Sequence, residues 1–107
     1  METTRDRIMA LVRRAVDDVN EQLEDGVKLG DGPATVLYGR GARITSLTLV
    51  TFIVAVEEHI RDEFGLSVTL ANEKAMSMEH SPFKTLGSMI GYVTDVVTEA
   101  QGEGNPA

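Results

Sequence analysis

The chain has 107 residues, a length that fits one domain. Seventeen acidic residues against ten basic ones give a net charge of −7. A surface of that charge repels phosphate backbones, which disfavours nucleic-acid binding. The absence of cysteine excludes disulfides and thiolate chemistry. The first residues show no signal-peptide pattern, and the longest apolar stretch, Leu47 to Val56, is too short to span a bilayer. We therefore expect an acidic, monomeric domain in the cytoplasm.

The first segment, from about Thr4 to Leu23, has the apolar periodicity of an amphipathic helix. Thr3 and Asp6 have the spacing of a capping pair at its start. Its apolar stripe contains Ile8, Leu11, Val12, Ala15, Val16, Val19 and Leu23. Glycines and one proline then interrupt the pattern over residues 24–43. We expect a long first loop there that packs along the bundle, with a short strand over residues 35–38 as an alternative.

A second helix is predicted from Ser46 to Phe64, ended by the left-handed geometry that Gly65 favours. Its core face consists of Leu49, Phe52, Ile53, Val56, Ile60 and Phe64. Leu47, Val50 and Val54 form a second apolar stripe beside that face, which we name the lateral strip. The lateral strip is either covered by the first loop or left to meet a partner.

The third predicted helix follows Thr85, a residue type favoured at the N-cap. Its apolar face consists of Leu86, Met89, Ile90, Val93, Val96, Val97 and Ala100. The connection before it, residues 65–84, has room for one short helical turn over residues 72–77. The sequence thus predicts an all-α bundle of three long helices and one short helix, with a long first loop. The domain would span residues 1–101, and residues 102–107 would form a flexible tail.

Few residues suggest catalysis or metal binding. His59 and His80 are the only histidines, and neither has a second ligand at metal-site spacing. The adjacent carboxylates of Glu57 and Glu58 are typical of a solvated acidic face. A serine hydrolase built on Ser46 would need His59, which lies thirteen residues along the same predicted helix. That separation is about 20 Å by the helical rise, too far for a hydrogen bond.

Ser46 has a more specific possible role, because it lies where a glycine-rich loop enters an apolar helix. The free amides and partial positive charge of a helix start favour a bound phosphate. The alternative is that Thr45 or Ser46 simply caps the helix.

The residues around Ser46 resemble the second helix of acyl carrier proteins. In that family a Ser-Leu pair opens the helix, followed by valine, a hydrophobic pair, alanine, a hydrophobic residue and Glu-Glu. The matching residues are Ser46-Leu47, Val50, Ile53-Val54, Ala55, Val56 and Glu57-Glu58. The resemblance continues through Phe64-Gly65 and ends in residues 83–93, which look like the family's last helix. It covers most of the chain.

This resemblance implies that Ser46 carries a 4′-phosphopantetheine arm, attached by a phosphopantetheinyl transferase that uses coenzyme A. The thiol of the arm would hold acyl groups as thioesters, so the protein would be a group carrier and not an enzyme. Its other partners would be acyl-activating, acyltransferase or ketosynthase enzymes of a specialised lipid, polysaccharide-linked or polyketide pathway. The lateral strip would dock these enzymes, while Glu57 and Glu58 would attract basic ones.

The chain departs from the family pattern just before the serine. Thr45 replaces an aspartate that helps the transferase to recognise its target, and Thr48 and Thr51 replace residues that are often acidic. Two other readings therefore stay open. The chain could be a helical interaction module that binds through the lateral strip without an arm, or a small hydrolase that uses Ser46.

Overall fold

The computed structural model describes residues 3–23, 29–30, 32–37, 41–42, 44–70 and 82–103. Within these ranges the chain forms three helices, α1 (Thr4–Asn20), α2 (Ser46–Phe64) and α3 (Leu86–Glu103), and no strand. The all-helical prediction is therefore confirmed for the described residues. The predicted short helix over residues 72–77 lies outside them and stays a prediction. Helix α3 extends two residues beyond the predicted end of the domain at 101, and residues 104–107 also lie outside the described ranges.

Helix α1 packs against both α2 and α3, and the three apolar faces meet in one core. The predicted core face of α2 is buried, with Phe52, Val56 and Ile60 fully inaccessible and Phe64 partly buried. The predicted face of α3 is buried except for Val96 and Ala100, which are partly exposed. The other members of the core are Ile8, Leu11, Val12, Ala15, Val16, Val19, Leu29, Leu37, Leu49, Ile53, Leu70, Phe83, Leu86, Met89, Ile90, Val93 and Val97.

Three predicted helix ends are present as hydrogen-bonded caps: the start of α1, the end of α2 and the start of α3. Thr3 and Asp6 form a reciprocal capping box at the start of α1, which satisfies two backbone amides that have no partner within the helix. The Oγ1 atom of Thr85 accepts a hydrogen bond from the amide of Ser88 at 3.1 Å. Gly65 ends α2 in the left-handed conformation, with φ of 69°, which costs a glycine little because it has no Cβ.

Helix α1 ends at Asn20, three residues before the predicted end at Leu23. The Asn20 side chain accepts a hydrogen bond from the amide of Leu29 at 2.7 Å and donates one to the Leu29 carbonyl at 2.8 Å. This pair of bonds ties the first loop back onto α1. Periodicity alone continues through Leu23, which is half-buried and still packs against the core, so the sequence pattern overstates the length of the helix.

The described part of the first loop lies against the start of α3. Of the alternative strand over residues 35–38, residue 38 lies outside the described residues, and the described residues 35–37 form a single antiparallel bridge, between Val36 and Thr85. Next to it, the carbonyls of Thr35 and Pro33 accept hydrogen bonds from the first two amides of α3, at Leu86 and Gly87, both at 2.9 Å. The buried Leu37 shows that the described part of this loop packs along the bundle.

A second set of bonds joins the helices through the chain that follows α2. Leu70 is fully buried. Its amide donates to the Glu57 carboxylate on α2 at 2.7 Å, and its carbonyl accepts from the Tyr92 hydroxyl on α3 at 2.9 Å. The Tyr92 ring also packs edge-on against Phe83. Leu70 is thus held from both sides, by a side chain of α2 and a side chain of α3.

Candidate functional site

Helix α2 begins at Ser46, and the preceding residue, Thr45, is its N-cap. Thr45 has extended backbone geometry, and its Oγ1 atom accepts a hydrogen bond from the amide of Thr48 at 3.1 Å. The capping role that the sequence left open between Thr45 and Ser46 therefore belongs to Thr45. Ser46 is the first residue of the helix itself. The orientation of its hydroxyl lies outside the described part of the structure.

Among the described residues, fewer hydrogen-bond acceptors bind the first backbone amides of α2 than bind those of α3. At α3 the first two amides are bound by carbonyls of the first loop. At α2 the amides of Ser46 and Leu47 have no acceptor among the described residues. The first turn of α2 also contains no acidic side chain, so nothing in it repels a negative charge. A phosphate group fits these conditions, because helix-start amides and the helix dipole both stabilise an anion.

The lateral strip begins at the residue after Ser46 and runs along α2. Leu47 is 76% exposed, Val50 is 51% exposed and Val54 is 44% exposed, while the core face of the same helix is buried. The described part of the first loop does not cover the strip, so the alternative of an uncovered strip is the one observed for these ranges. Exposed leucine and valine side chains in a row are an apolar surface that another protein can bury.

Two clefts, each of about 210 Å³, lie beside the lateral strip. The first, which we name the α1–α2 cleft, adjoins Leu47 and is lined by Val19, Gln22, Leu23, Leu47, Thr48 and Thr51. The second, which we name the charged cleft, adjoins Val54 and is lined by Val54, Glu57, Glu58, Arg61, Ser67 and Val68. Charged side chains occur only in the charged cleft, where they are Glu57, Glu58 and Arg61.

The acidic side chains predicted to attract partners differ in their surroundings. Glu58 is exposed and has no ion pair with any described residue. Glu57 is half-buried and accepts the bond from the Leu70 amide, so it also has a structural role that the sequence did not indicate. Glu63, further along α2, binds Arg7 at 3.1 Å and lies 4.0 Å from Arg14. Glu58 thus keeps an exposed negative charge in the cleft that also contains Val54.

The histidine on α2 is bound to another helix. The His59 ring lies 2.7 Å from the carboxylate of Asp18 on α1. Because α2 is continuous, His59 and Ser46 are about 20 Å apart along its axis. No group of three or more potential metal ligands occurs among the described residues, and His80 lies outside them. Within the same ranges, no helix is long and apolar enough to cross a membrane.

The sequence did not indicate that the α1–α2 cleft exists, nor that two hydrogen bonds hold Leu70. A cleft between helices depends on their relative placement, and neither Gln22 nor Thr51 has a sequence signal that reveals its position. Tyr92 offered a weak signal, since a hydroxyl beside a buried face usually has a partner. Leu70 offered none, because it lies outside any periodic segment.

A comparison of the chain with protein-family models, curated proteins and solved structures gives no match.

Proposed function

We propose that this protein is an acyl carrier protein that holds acyl groups as thioesters on a 4′-phosphopantetheine arm attached to Ser46. The observation that carries the proposal is the arrangement at the start of α2. Ser46 is the first helical residue, Thr45 supplies the cap, and the exposed lateral strip begins at Leu47. The order Ser-Leu, valine, hydrophobic pair, alanine and Glu-Glu along this helix supports the same conclusion.

The residues present fit a phosphodiester at this position. The amides of Ser46 and Leu47 have no acceptor among the described residues, and the first turn of α2 has no carboxylate. In the attachment reaction, the Ser46 oxygen forms a bond to the β-phosphorus of coenzyme A, and the bond from that phosphorus to 3′,5′-adenosine diphosphate breaks. The serine proton passes to a base of the transferase. When bound, the arm supplies a thiol for thioester formation, which this cysteine-free chain lacks.

The lateral strip would provide the contact with partner enzymes. Leu47, Val50 and Val54 present apolar area next to the serine, and the exposed carboxylate of Glu58 lies beyond them. Apolar burial supplies affinity, while the charge favours encounter with basic surfaces. The cargo would therefore reach the active site of an acyl-activating, acyltransferase or ketosynthase enzyme while the strip is buried against it.

The proposal is tested by the intact mass of the chain before and after incubation with coenzyme A, magnesium and a broad-specificity phosphopantetheinyl transferase. We expect a gain of one phosphopantetheine. Ser46→Ala should show no gain, whereas Ser67→Ala, which alters an exposed serine elsewhere, should load like the wild type.

Thr45→Asp gives a second measure of the same site. Aspartate is as good an N-cap as threonine or better, so the fold should be retained, and we expect faster loading because the family's usual carboxylate is restored. A mass that stays unchanged with several transferases, in both the wild type and Thr45→Asp, would contradict the proposal.

A helical interaction module without an arm is the second candidate. The observation that favours it is that Leu47 and Val50 are exposed in the chain itself, so an apolar docking surface exists without any modification. For this candidate, partner binding should be unaffected by Ser46→Ala and weakened by Leu47→Ala. For an acyl carrier, Ser46→Ala abolishes cargo transfer while leaving the docking surface intact.

A further inference from the structure

The two clefts beside the lateral strip have equal volumes, but only one of them has charged side chains in its lining. The charged cleft contains two carboxylates and the Arg61 guanidinium. The α1–α2 cleft is lined by uncharged groups only, three aliphatic and three that form hydrogen bonds. An uncharged, mixed lining is suited to a ligand that alternates apolar segments with amide groups, because it accommodates both and imposes no desolvation of charge.

We propose that the α1–α2 cleft is the resting site of the pantetheine portion of the arm on Ser46. This inference rests on the proposed function and adds to it a binding site between α2 and the C-terminal end of α1. Pantetheine is a chain with two amides, a pair of methyl groups and a terminal thiol, and it carries no charge beyond its phosphodiester. The cleft offers the same alternation of aliphatic and hydrogen-bonding groups.

The position of the cleft places it within reach of Ser46. Its three residues from α2 are Leu47, Thr48 and Thr51, the last of which lies about 8 Å along the helix axis from Ser46. The charged cleft begins at Val54, about 12 Å along the axis. Along the axis of α2, the α1–α2 cleft is therefore the nearer of the two clefts to Ser46.

The polar groups of the cleft retain unused hydrogen-bonding capacity. Thr48 accepts a bond from the Thr45 hydroxyl at 3.1 Å and keeps its own proton to donate. Thr51 donates to the Leu47 carbonyl at 3.1 Å and keeps its lone pairs to accept. The side-chain amide of Gln22 forms no hydrogen bond to a described residue, and it is able to donate and to accept. The cleft thus offers partners for both the N–H and the C=O of an amide.

The size of the cleft limits what it holds. At about 210 Å³ it is below the roughly 300–1,000 Å³ of pockets that enclose a drug-sized ligand. It accommodates one segment of the arm and leaves the rest in solvent. Such a contact keeps the arm near α1 between encounters while a partner enzyme is still able to withdraw it.

The test compares the isotope-labelled chain before and after loading, by nuclear magnetic resonance. Loading should shift the Gln22 side-chain amide and the backbone amides of Val19 and Leu23. The paired methyl groups of the arm should show nuclear Overhauser contacts to the Val19 and Leu23 methyl groups. Thr51→Phe fills the cleft from an exposed position and should abolish these contacts. Ser67→Phe makes the same kind of change from an exposed position of the charged cleft and should preserve them.

Intact mass is recorded on the same samples, so that the two proposals are judged separately. A fully loaded chain whose arm contacts only residues 45–48, or contacts Ser67 and Val68, overturns the resting-site inference and leaves the carrier function standing. Arm contacts to α1 that survive in Thr51→Phe also overturn it. Absence of loading overturns the carrier function, and the inference with it.

Discussion

Gly87 is a position at which the described part of the first loop approaches α3 closely. A Cβ added there would lie 3.0 Å from the carbonyl oxygen of Pro33 and 3.1 Å from the Pro33 Cβ. The same oxygen accepts the Gly87 amide at 2.9 Å. Gly91 lies one turn further along α3, and a Cβ added there meets no atom within 4 Å. Gly91→Ala therefore reports the effect of helix propensity on stability, whereas Gly87→Ala reports the same effect together with the contact to Pro33.

Both substitutions gain helix propensity, about 1 kcal/mol for glycine to alanine inside a helix. Only Gly87→Ala has a steric cost, because the obstacle is a backbone carbonyl that must move together with its hydrogen bond. Overpacking of this kind costs roughly 1–3 kcal/mol. We expect Gly91→Ala to raise the free energy of unfolding by about 0.5–1 kcal/mol and Gly87→Ala to lie about 1–3 kcal/mol below it.

Urea denaturation followed by far-ultraviolet circular dichroism measures both free energies of unfolding. In a domain of this size, each 1 kcal/mol corresponds to a shift of about 4–8 °C in Tm, so a thermal melt gives an independent reading. Equal stabilisation by the two substitutions would refute the reasoning, since it would mean that Pro33 does not lie against Gly87. A loss in Gly91→Ala would refute the assumption that its surroundings are open.

Two further predictions concern the core and the hydrogen bonds that hold Leu70. Phe52→Ala should lower the free energy of unfolding by about 3–5 kcal/mol, because the fully buried ring leaves a cavity. Val54→Ala should change it by less than about 0.5 kcal/mol, as exposed substitutions do; chemical denaturation giving equal losses would mean that α2 is rotated from the position described. Tyr92→Phe should cost about 0.5–1.5 kcal/mol, because the Leu70 carbonyl loses its donor. Wild-type stability in that variant would show that water replaces the hydroxyl.

The sequence predicted the helices and their buried faces because both follow from apolar periodicity. The core arc of α2, the capping box of α1 and the Thr85 cap of α3 all agree with the structure. The end of α1 was placed too late, since the Asn20 side chain that binds Leu29 is a contact between segments with no local signal.

The connections were harder to predict than the helices. Leu70 lies in a segment without periodicity, so its burial depends on where α2 and α3 stand. The same holds for the α1–α2 cleft, whose lining comes from the end of α1, the residues just after it and the start of α2. The exposure of Leu47 was one of two alternatives from sequence, and only the three-dimensional path of the first loop decides between them.

The role of α1 as common partner of α2 and α3 has a consequence for folding during synthesis. The contact between α1 and α3 joins helices that are far apart in the sequence, so it closes a loop of more than half of these 107 residues and forms only when α3 has been made. Until then, α1 and α2 can pair, but the part of their apolar surface that α3 will cover stays open to water. During that interval nascent chains are exposed to mutual association. The net charge of −7 opposes this association, because like-charged chains repel one another.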